Sequence, residues 1–382
     1  MKGFKNAQVL VEGKGFIKTD LGFENGKIAK IGAEVLEEII SLPENAIVVP
    51  GFIDEHIHGA FGADAMDGSV KALSDIANAV ASEGTTGFLA TTMTQSPENI
   101  KNALTAVKDY IASNPKSGAE VIGVHLEGPF ISPKHIGAQP LEYVATPSAE
   151  VMKKYVEYSG NSVKIVSLAP EVEGAEELIK YLKSEGIVAS IAHTGAKYKD
   201  CENAVKWGMT NVTHTYNAQT GLHHRDVGVV GSALLFDELS TELICDLIHV
   251  SAPAIKLVVK NKNEDKVILI TDSMRAKHLP DGESELGGQL VIVKNGEARL
   301  VDGTLAGSVL KMNVAVKNVH QTVGVPLETA IEFATANPAK NLGIYDSVGS
   351  IKEGKRANVT VLDKNTFDVL LTVKDGEVIY KK

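Results

Sequence analysis

Cysteine is scarce in this chain: Cys201 and Cys245 are the only two in 382 residues, and they stand far apart. Two isolated thiols make neither a disulfide framework nor a cysteine-based zinc site, and they suit a reducing, cytoplasmic setting. Basic residues are also in short supply. Against 48 Asp and Glu there are 38 Lys and Arg, a formal net charge of −10. Nucleic-acid binding shows as a basic excess or stripe, and an acidic surface is repelled by an anionic membrane. Nucleic acid and membrane are therefore excluded as partners. No apolar run approaches the ~18 residues of a membrane helix. The nearest, ELICDLIHV at 242–250, is half as long and carries charge. The opening MKGFKNAQVLVEGKGF lacks the continuous apolar core of an export signal.

What is present is an ordinary globular composition, 44% hydrophobic and 23% charged. The length suggests two domains, or one large α/β domain with an appendage. Both ends read as short strands and turns: AQVLVEG and GFIKTDLGFENGKIAKIG at the start, ANVTVLD and FDVLLTVKDGEVIYKK at the finish. Turn signals fall at Asn25-Gly26 and Asp375-Gly376. The middle alternates. Eight apolar, β-branched runs lie at 46–58, 87–92, 120–128, 163–170, 187–194, 211–216, 242–250 and 266–273. Helix-period segments fill most intervals, such as 70–84, 98–113 and 175–186, the last stopped by Gly186. Continuous apolar strands alternating with helices indicate a parallel sheet buried on both faces. The expectation is a (β/α)8 TIM-like barrel over 51–345, with a small β-sandwich domain built from 1–50 and 346–382. A doubly wound open sheet is the alternative, but its Gly-rich phosphate loop is missing after the first strand.

In such a barrel the site lies at the C-terminal ends of the strands. Here nearly every strand ends in a residue fit for metal or acid–base chemistry: His56 and His58, Glu127, His193, His214, His249 and Asp272. Residues i and i+2 of a strand share a side, so His56 and His58 can face the mouth together with Glu127 as an anionic ligand. Glu127, His193 and His214 make a second N/N/O set with a position left for water. A single such histidine would read as a core residue, and Asp272 alone as a helix cap; their coincidence at the strand ends argues otherwise. A carboxylate closing the apolar run KVILIT is costly to bury without a partner. Beside a cation, Asp272 would take the proton of the attacking water and deliver it to a leaving nitrogen. Arg225 offers a bidentate clamp for an anion. His223 and His224 read as loop surface, His125 as a packing residue behind the site, and Cys245 as core.

These motifs resemble the amidohydrolase superfamily and, within it, the family of N-acetylglucosamine-6-phosphate deacetylases. The likeness runs through PGFIDEHIHG (50–59), GVHLEGPFISPKHIGAQP (123–140), IAHTGA (191–196) and THTYNAQTGLHHR (213–225). It continues through DLIHV (246–250), LITDSM (269–274), DGTLAGS (302–308) and ATANPAKNLG (334–343). The specific part is HLEGPF, with Glu127 where cyclic-amide hydrolases use a modified lysine elsewhere. The resemblance implies that Glu127, His193 and His214 hold the main divalent metal and that Asp272 is the general base and then acid. It implies substrate contacts from Gln139, Asn217, Ala218, Arg225, His249, Leu305 and Ser308, with Gln139 standing where some members carry a histidine. Retention of His56 and His58 implies one or two metals per subunit, zinc or iron, with manganese or cobalt as alternatives. The implied partner is a small amino-sugar phosphate, in a homodimer whose neighbouring subunit can add phosphate contacts. The competing readings are the same chemistry on N-acetylgalactosamine 6-phosphate, and a non-catalytic scaffold.

Overall fold

The computed structural model describes residues 1–32 and 36–382. Its central sheet has eight parallel strands: β1 (Phe52–Ile57), β2 (Thr85–Thr91), β3 (Glu120–Glu127), β4 (Val163–Leu168), β5 (Val188–Ile191), β6 (Asn211–Val212), β7 (Ser240–Ile244) and β8 (Val267–Ile270). Each pairs with the next in chain order. The last meets the first through Asp272 N, which donates to His56 O at 2.8 Å, and His58 N, which donates to Ser273 O at 3.0 Å. This closes the barrel that the alternating pattern implied. Strands β1, β2, β7 and β8 are buried at every position, as a parallel sheet covered by helices requires.

Helices alternate with the strands for local reasons. Ser69 caps Val70–Ala81 by accepting from Ala72 N, and Ser96 caps Pro97–Ser113 with proline at its first turn. Ala175–Ser184 buries Leu178, Ile179 and Leu182 against the sheet side. Each such side chain contributes ~1.5–3 kcal/mol on burial.

The first apolar run, 46–58, is divided rather than continuous. Ala46–Pro50 pairs antiparallel with Val359–Asp363, and only Phe52–Ile57 enters the barrel. The division falls at Gly51, where a Cβ would meet the Thr86 side chain at 2.3 Å, so the crossing point demands glycine. Both chain ends share one ladder: Lys2–Val11, Gly15–Glu24, Lys27–Ile31, Glu38–Ile39 and Ala46–Pro50 join Val359–Asp363, Val369–Lys374 and Glu377–Lys381. Phe4, Val9, Leu21, Val48, Val361 and Val373 form its separate core. The Asp375-Gly376 turn has both residues at positive φ, 51° and 77°, as a tight two-residue hairpin needs. A three-stranded antiparallel sheet, Gly282–Leu286, Gln289–Lys294 and Glu297–Leu300, follows β8 and was not apparent from the strand pattern. It lies toward the C-terminal mouth of the barrel, where Leu286 reaches the cleft.

The barrel interior is partly polar. His125 Nε2 contacts Ser167 Oγ at 2.7 Å, and Thr213 Oγ1 lies 2.6 Å from both Ser167 Oγ and Ser190 Oγ. This connected chain of hydrogen bonds forms a floor beneath the mouth.

Candidate metal centre

The residues singled out at the strand ends converge. Glu127 is the last residue of β3, and His56 is inside β1 with His58 just beyond it. His193, His214 and Asp272 each lie two residues past the end of their strands, so the runs read as strands through these positions are shorter than expected. All three have positive φ, 43°, 30° and 47°. A non-glycine residue rarely adopts that conformation, and strain of this kind collects at functional sites. Asp272 is not a helix cap: its Oδ1 faces His58 Nε2 at 3.2 Å and His56 Nε2 at 3.5 Å.

Glu127 is the hub. Its Oε1 lies 3.0 Å from His214 Nε2, 3.2 Å from His193 Nε2 and 3.6 Å from His56 Nε2, while Oε2 lies 3.3 Å from His58 Nε2. The outer ring nitrogens fix three of the four imidazoles. His58 Nδ1 is paired with Thr91 O at 3.2 Å, His193 Nδ1 with His135 O at 3.0 Å, and His56 Nδ1 with Glu242 Oε2 at 3.1 Å. These partners accept, so each Nδ1 is assigned the proton and each Nε2 presents a lone pair to the centre. The Nε2 atoms of His193 and His214 are only 3.2 Å apart. His56 Nε2 is buried without a hydrogen-bond partner. Converging lone pairs around two carboxylates are what a divalent cation satisfies. The potential ligand atoms of Glu127, His193 and His214 lie within 4.8 Å of one another, as do those of His56, His58 and Asp272. Imidazole and carboxylate donors suit zinc, iron, manganese or cobalt. His125, Glu242 and His56 form a third cluster, but both His125 nitrogens are taken, by Glu55 O and Ser167 Oγ.

Charge follows the same geometry. Burial alone would raise the Glu127 carboxyl, but the surrounding imidazoles outweigh it and hold it well below the usual carboxylate range. Burial also opposes ionisation of Asp272, and His56 and His58 bring it down to about 2. Burial works against a charged His58, yet hydrogen bonds to Asp272 and Glu127 push it well above an ordinary imidazole, so the lone pair of its Nε2 is freed for a cation by loss of a proton. Both carboxylates are thus ionised at neutral pH.

The cleft above this cluster is lined by Gln139, Asn217, Ala218, His249 and Leu305 among others. Two expected substrate residues are not in that lining. Arg225 lies on an exposed loop with its guanidinium 3.1 Å from His224 Nε2. The buried Ser308 hydroxyl donates to Thr271 O and accepts from Leu310 N, which commits it to the barrel wall. His249 lies in a turn beyond β7 rather than at its end, with Nδ1 paired to Asp246 Oδ2 at 2.6 Å.

The amidohydrolase family model matches residues 47–379. The chain belongs to the amidohydrolase family. A relative named N-acetylglucosamine-6-phosphate deacetylase, from Bacillus subtilis (strain 168), is 42% identical over 98% of this chain and 96% of its own length. An N-acetylgalactosamine-6-phosphate deacetylase from Escherichia coli O157:H7 is 35% identical, covering 90% of each. The crystal structure of N-acetylglucosamine-6-phosphate deacetylase from Thermotoga maritima superposes with a TM-score of 0.89 at 37% identity, over 99% of both chains.

Three residues of this amidohydrolase were not anticipated in the places they hold. Gln139, expected near a substrate carbonyl, donates from Nε2 to Glu127 Oε2 at 2.7 Å, and its Oε1 accepts from Thr94 N at 2.7 Å. Both ends of its amide are engaged in aiming the hub carboxylate. Asp246 orients the His249 ring. Glu242, fully buried on β7, accepts from His56 Nδ1 and from His214 N at 3.2 Å through one oxygen. Burial pushes its carboxyl up to about 8, but Oε2 remains an acceptor in either protonation state. The available signal was an acid opening an apolar run that also holds Asp246.

Proposed function

We propose that this amidohydrolase removes the acetyl group of N-acetylglucosamine 6-phosphate, giving glucosamine 6-phosphate and acetate. The observation that carries the reading is the convergence of four imidazole nitrogens and the Glu127 and Asp272 carboxylates at the barrel mouth. The full-length likeness to deacetylases of that substrate supports it. Glu127, His193 and His214 would hold one divalent cation, and His56, His58 and Asp272 a second, zinc or iron being our choice. When bound, the cation lowers the pKa of water and polarises the acyl oxygen. Asp272, ionised and facing the cleft, takes a proton from the attacking water and returns it to the leaving nitrogen. One C–O bond forms, one C–N bond breaks and one water is consumed. Gln139 keeps Glu127 aimed. Asn217, Ala218, His249 and Leu305 shape the sugar site, and Arg225 meets the phosphate from the rim. We read 51–345 as the catalytic barrel, braced by a small domain of 1–50 and 346–382, in a cytoplasmic homodimer.

The test is acetate release from N-acetylglucosamine 6-phosphate by metal-loaded protein. Turnover of that substrate is expected; its absence in protein with a full metal complement overturns the reading. The relative from Escherichia coli O157:H7 motivates a second reading, the galactosamine epimer. Comparing kcat/KM on the two epimers decides between them, with the gluco substrate expected to be preferred.

A further inference from the structure

Among the four imidazoles at the mouth, His56 is held differently. His58 and His193 lean on main-chain carbonyls through Nδ1, whereas His56 leans on a carboxylate, Glu242 Oε2, at 3.1 Å. Both side chains are fully buried. The other face of the His56 ring packs near His125, whose centroid is 4.5 Å away. His56 Nε2, pointing toward Glu127 and Asp272, is the unpartnered atom.

We propose that Glu242 is a positioning residue that builds the second cation position by holding His56 with Nδ1–H toward the barrel floor and Nε2 toward Glu127 and Asp272. A buried carboxylic acid in an apolar strand is costly unless something compensates it. An imidazole that hands its other nitrogen to a cation is such a compensation, because the N–H on the far side is then polarised toward the acid. An acceptor on Nδ1–H fixes the tautomer and ring orientation and raises the basicity of the ligating nitrogen. The same oxygen accepts from His214 N at 3.2 Å, so Glu242 spaces the two cation positions as well as orienting one ligand. Glu242 touches no reacting atom; it acts through His56.

The inference rests on the reading of the mouth as a metal centre, and the experiment separates the two. Wild-type protein, Glu242→Ala, Glu242→Gln and His56→Ala are stripped, titrated with Co(II), and followed by visible absorption, calorimetry and bound equivalents. Wild type is expected to take up two equivalents. Glu242→Ala and His56→Ala should lose second-site affinity by roughly 10–100-fold, the range for removing such an outer partner, and keep the first site. Glu242→Gln, which keeps an amide oxygen as acceptor for His56 Nδ1, should retain both equivalents with a smaller loss. The double variant should bind no more weakly than His56→Ala. Two equivalents at wild-type affinity in Glu242→Ala overturn this inference alone. Loss of both equivalents in a folded Glu242→Ala also overturns it, moving the role to the backbone at His214. A wild-type chain that takes up one equivalent overturns the inference alone, and one that takes up none overturns the reading beneath it as well. Should Glu242→Ala not fold, Glu242→Leu, closer in volume, takes its place.

Discussion

Two buried acids in this protein are surrounded in opposite ways. Glu83, at the end of helix Val70–Ala81, is met on every side: Oε1 lies 3.0 Å from Lys277 Nζ and 2.7 Å from His278 Nε2, and Oε2 accepts from Met312 N at 3.0 Å. Its carboxyl is held below the ordinary value against the cost of burial, with Lys277 the strongest favourable neighbour. Glu127 is equally buried, yet no ammonium or guanidinium meets it among the described residues; its neighbours are imidazoles and the Gln139 amide. The first cluster is electrically closed and ties a helix end, the segment after β8 and the start of helix Met312–Asn318 into one unit. The second is open: apart from the Gln139 amide its partners are imidazole nitrogens, and the fixed positive charge that would complete it has to come from outside the chain. Burial of an acid does not by itself mark a site. What marks it is whether the chain supplies the counter-charge.

The contrast can be broken at either end. Asp272→Asn, which removes the proton acceptor from the open cluster, should lower kcat for acetate release by roughly 10²–10⁴-fold. Its melting temperature should change little, and the pair of measurements checks both halves. Glu83→Gln should do the reverse. It leaves the Lys277 ammonium buried without its partner, at a cost of ~3–5 kcal/mol in urea unfolding, while kcat/KM per folded molecule stays at the wild-type level. Gln139→Leu removes one charge-assisted hydrogen bond to Glu127, worth ~1.5–3 kcal/mol. A roughly tenfold or greater fall in affinity for the cation should follow from that range, read by metal titration. The smallest effect is the pH dependence of Glu83. Its folded pKa lies below the ordinary glutamate value of 4.5, so its stabilisation is present above that pH and is lost as pH falls through the folded value. The urea-midpoint gap between wild type and Glu83→Gln should therefore be widest near neutrality and narrow only in acid.

The sequence made the barrel legible because parallel strands covered on both faces are apolar at every position, and the site legible because His and acid recur where those runs stop. What it did not reveal depends on pairing across the fold. Glu242 and His56 are 186 residues apart, and only the barrel's closure sets one acid beneath one imidazole. Gln139 and Glu127 are close in sequence, but the amide's direction follows from where Thr94 N sits on the loop after another strand. The break at Gly51 was hidden because both halves of its run are apolar, and only the Thr86 side chain opposite decides where the chain changes sheets. The left-handed turns at His193, His214 and Asp272 likewise carry no glycine to announce them.

The barrel's seam has a consequence for the order of events during folding. The first and last strands are zipped by Asp272 N on His56 O and His58 N on Ser273 O, and behind them the Thr271 hydroxyl donates to Asp54 Oδ2 at 2.5 Å across 217 residues of chain. Three of the six ionisable groups at the mouth, His56, His58 and Asp272, sit on that seam. During synthesis the histidines emerge first and wait for the acid, which lies more than 200 residues further along the chain. Closing so long a loop is the entropically slow step of such a topology. Catalytic competence therefore arrives together with barrel closure, and recovery of turnover after dilution from denaturant is a direct clock for the final long-range pairing of the chain.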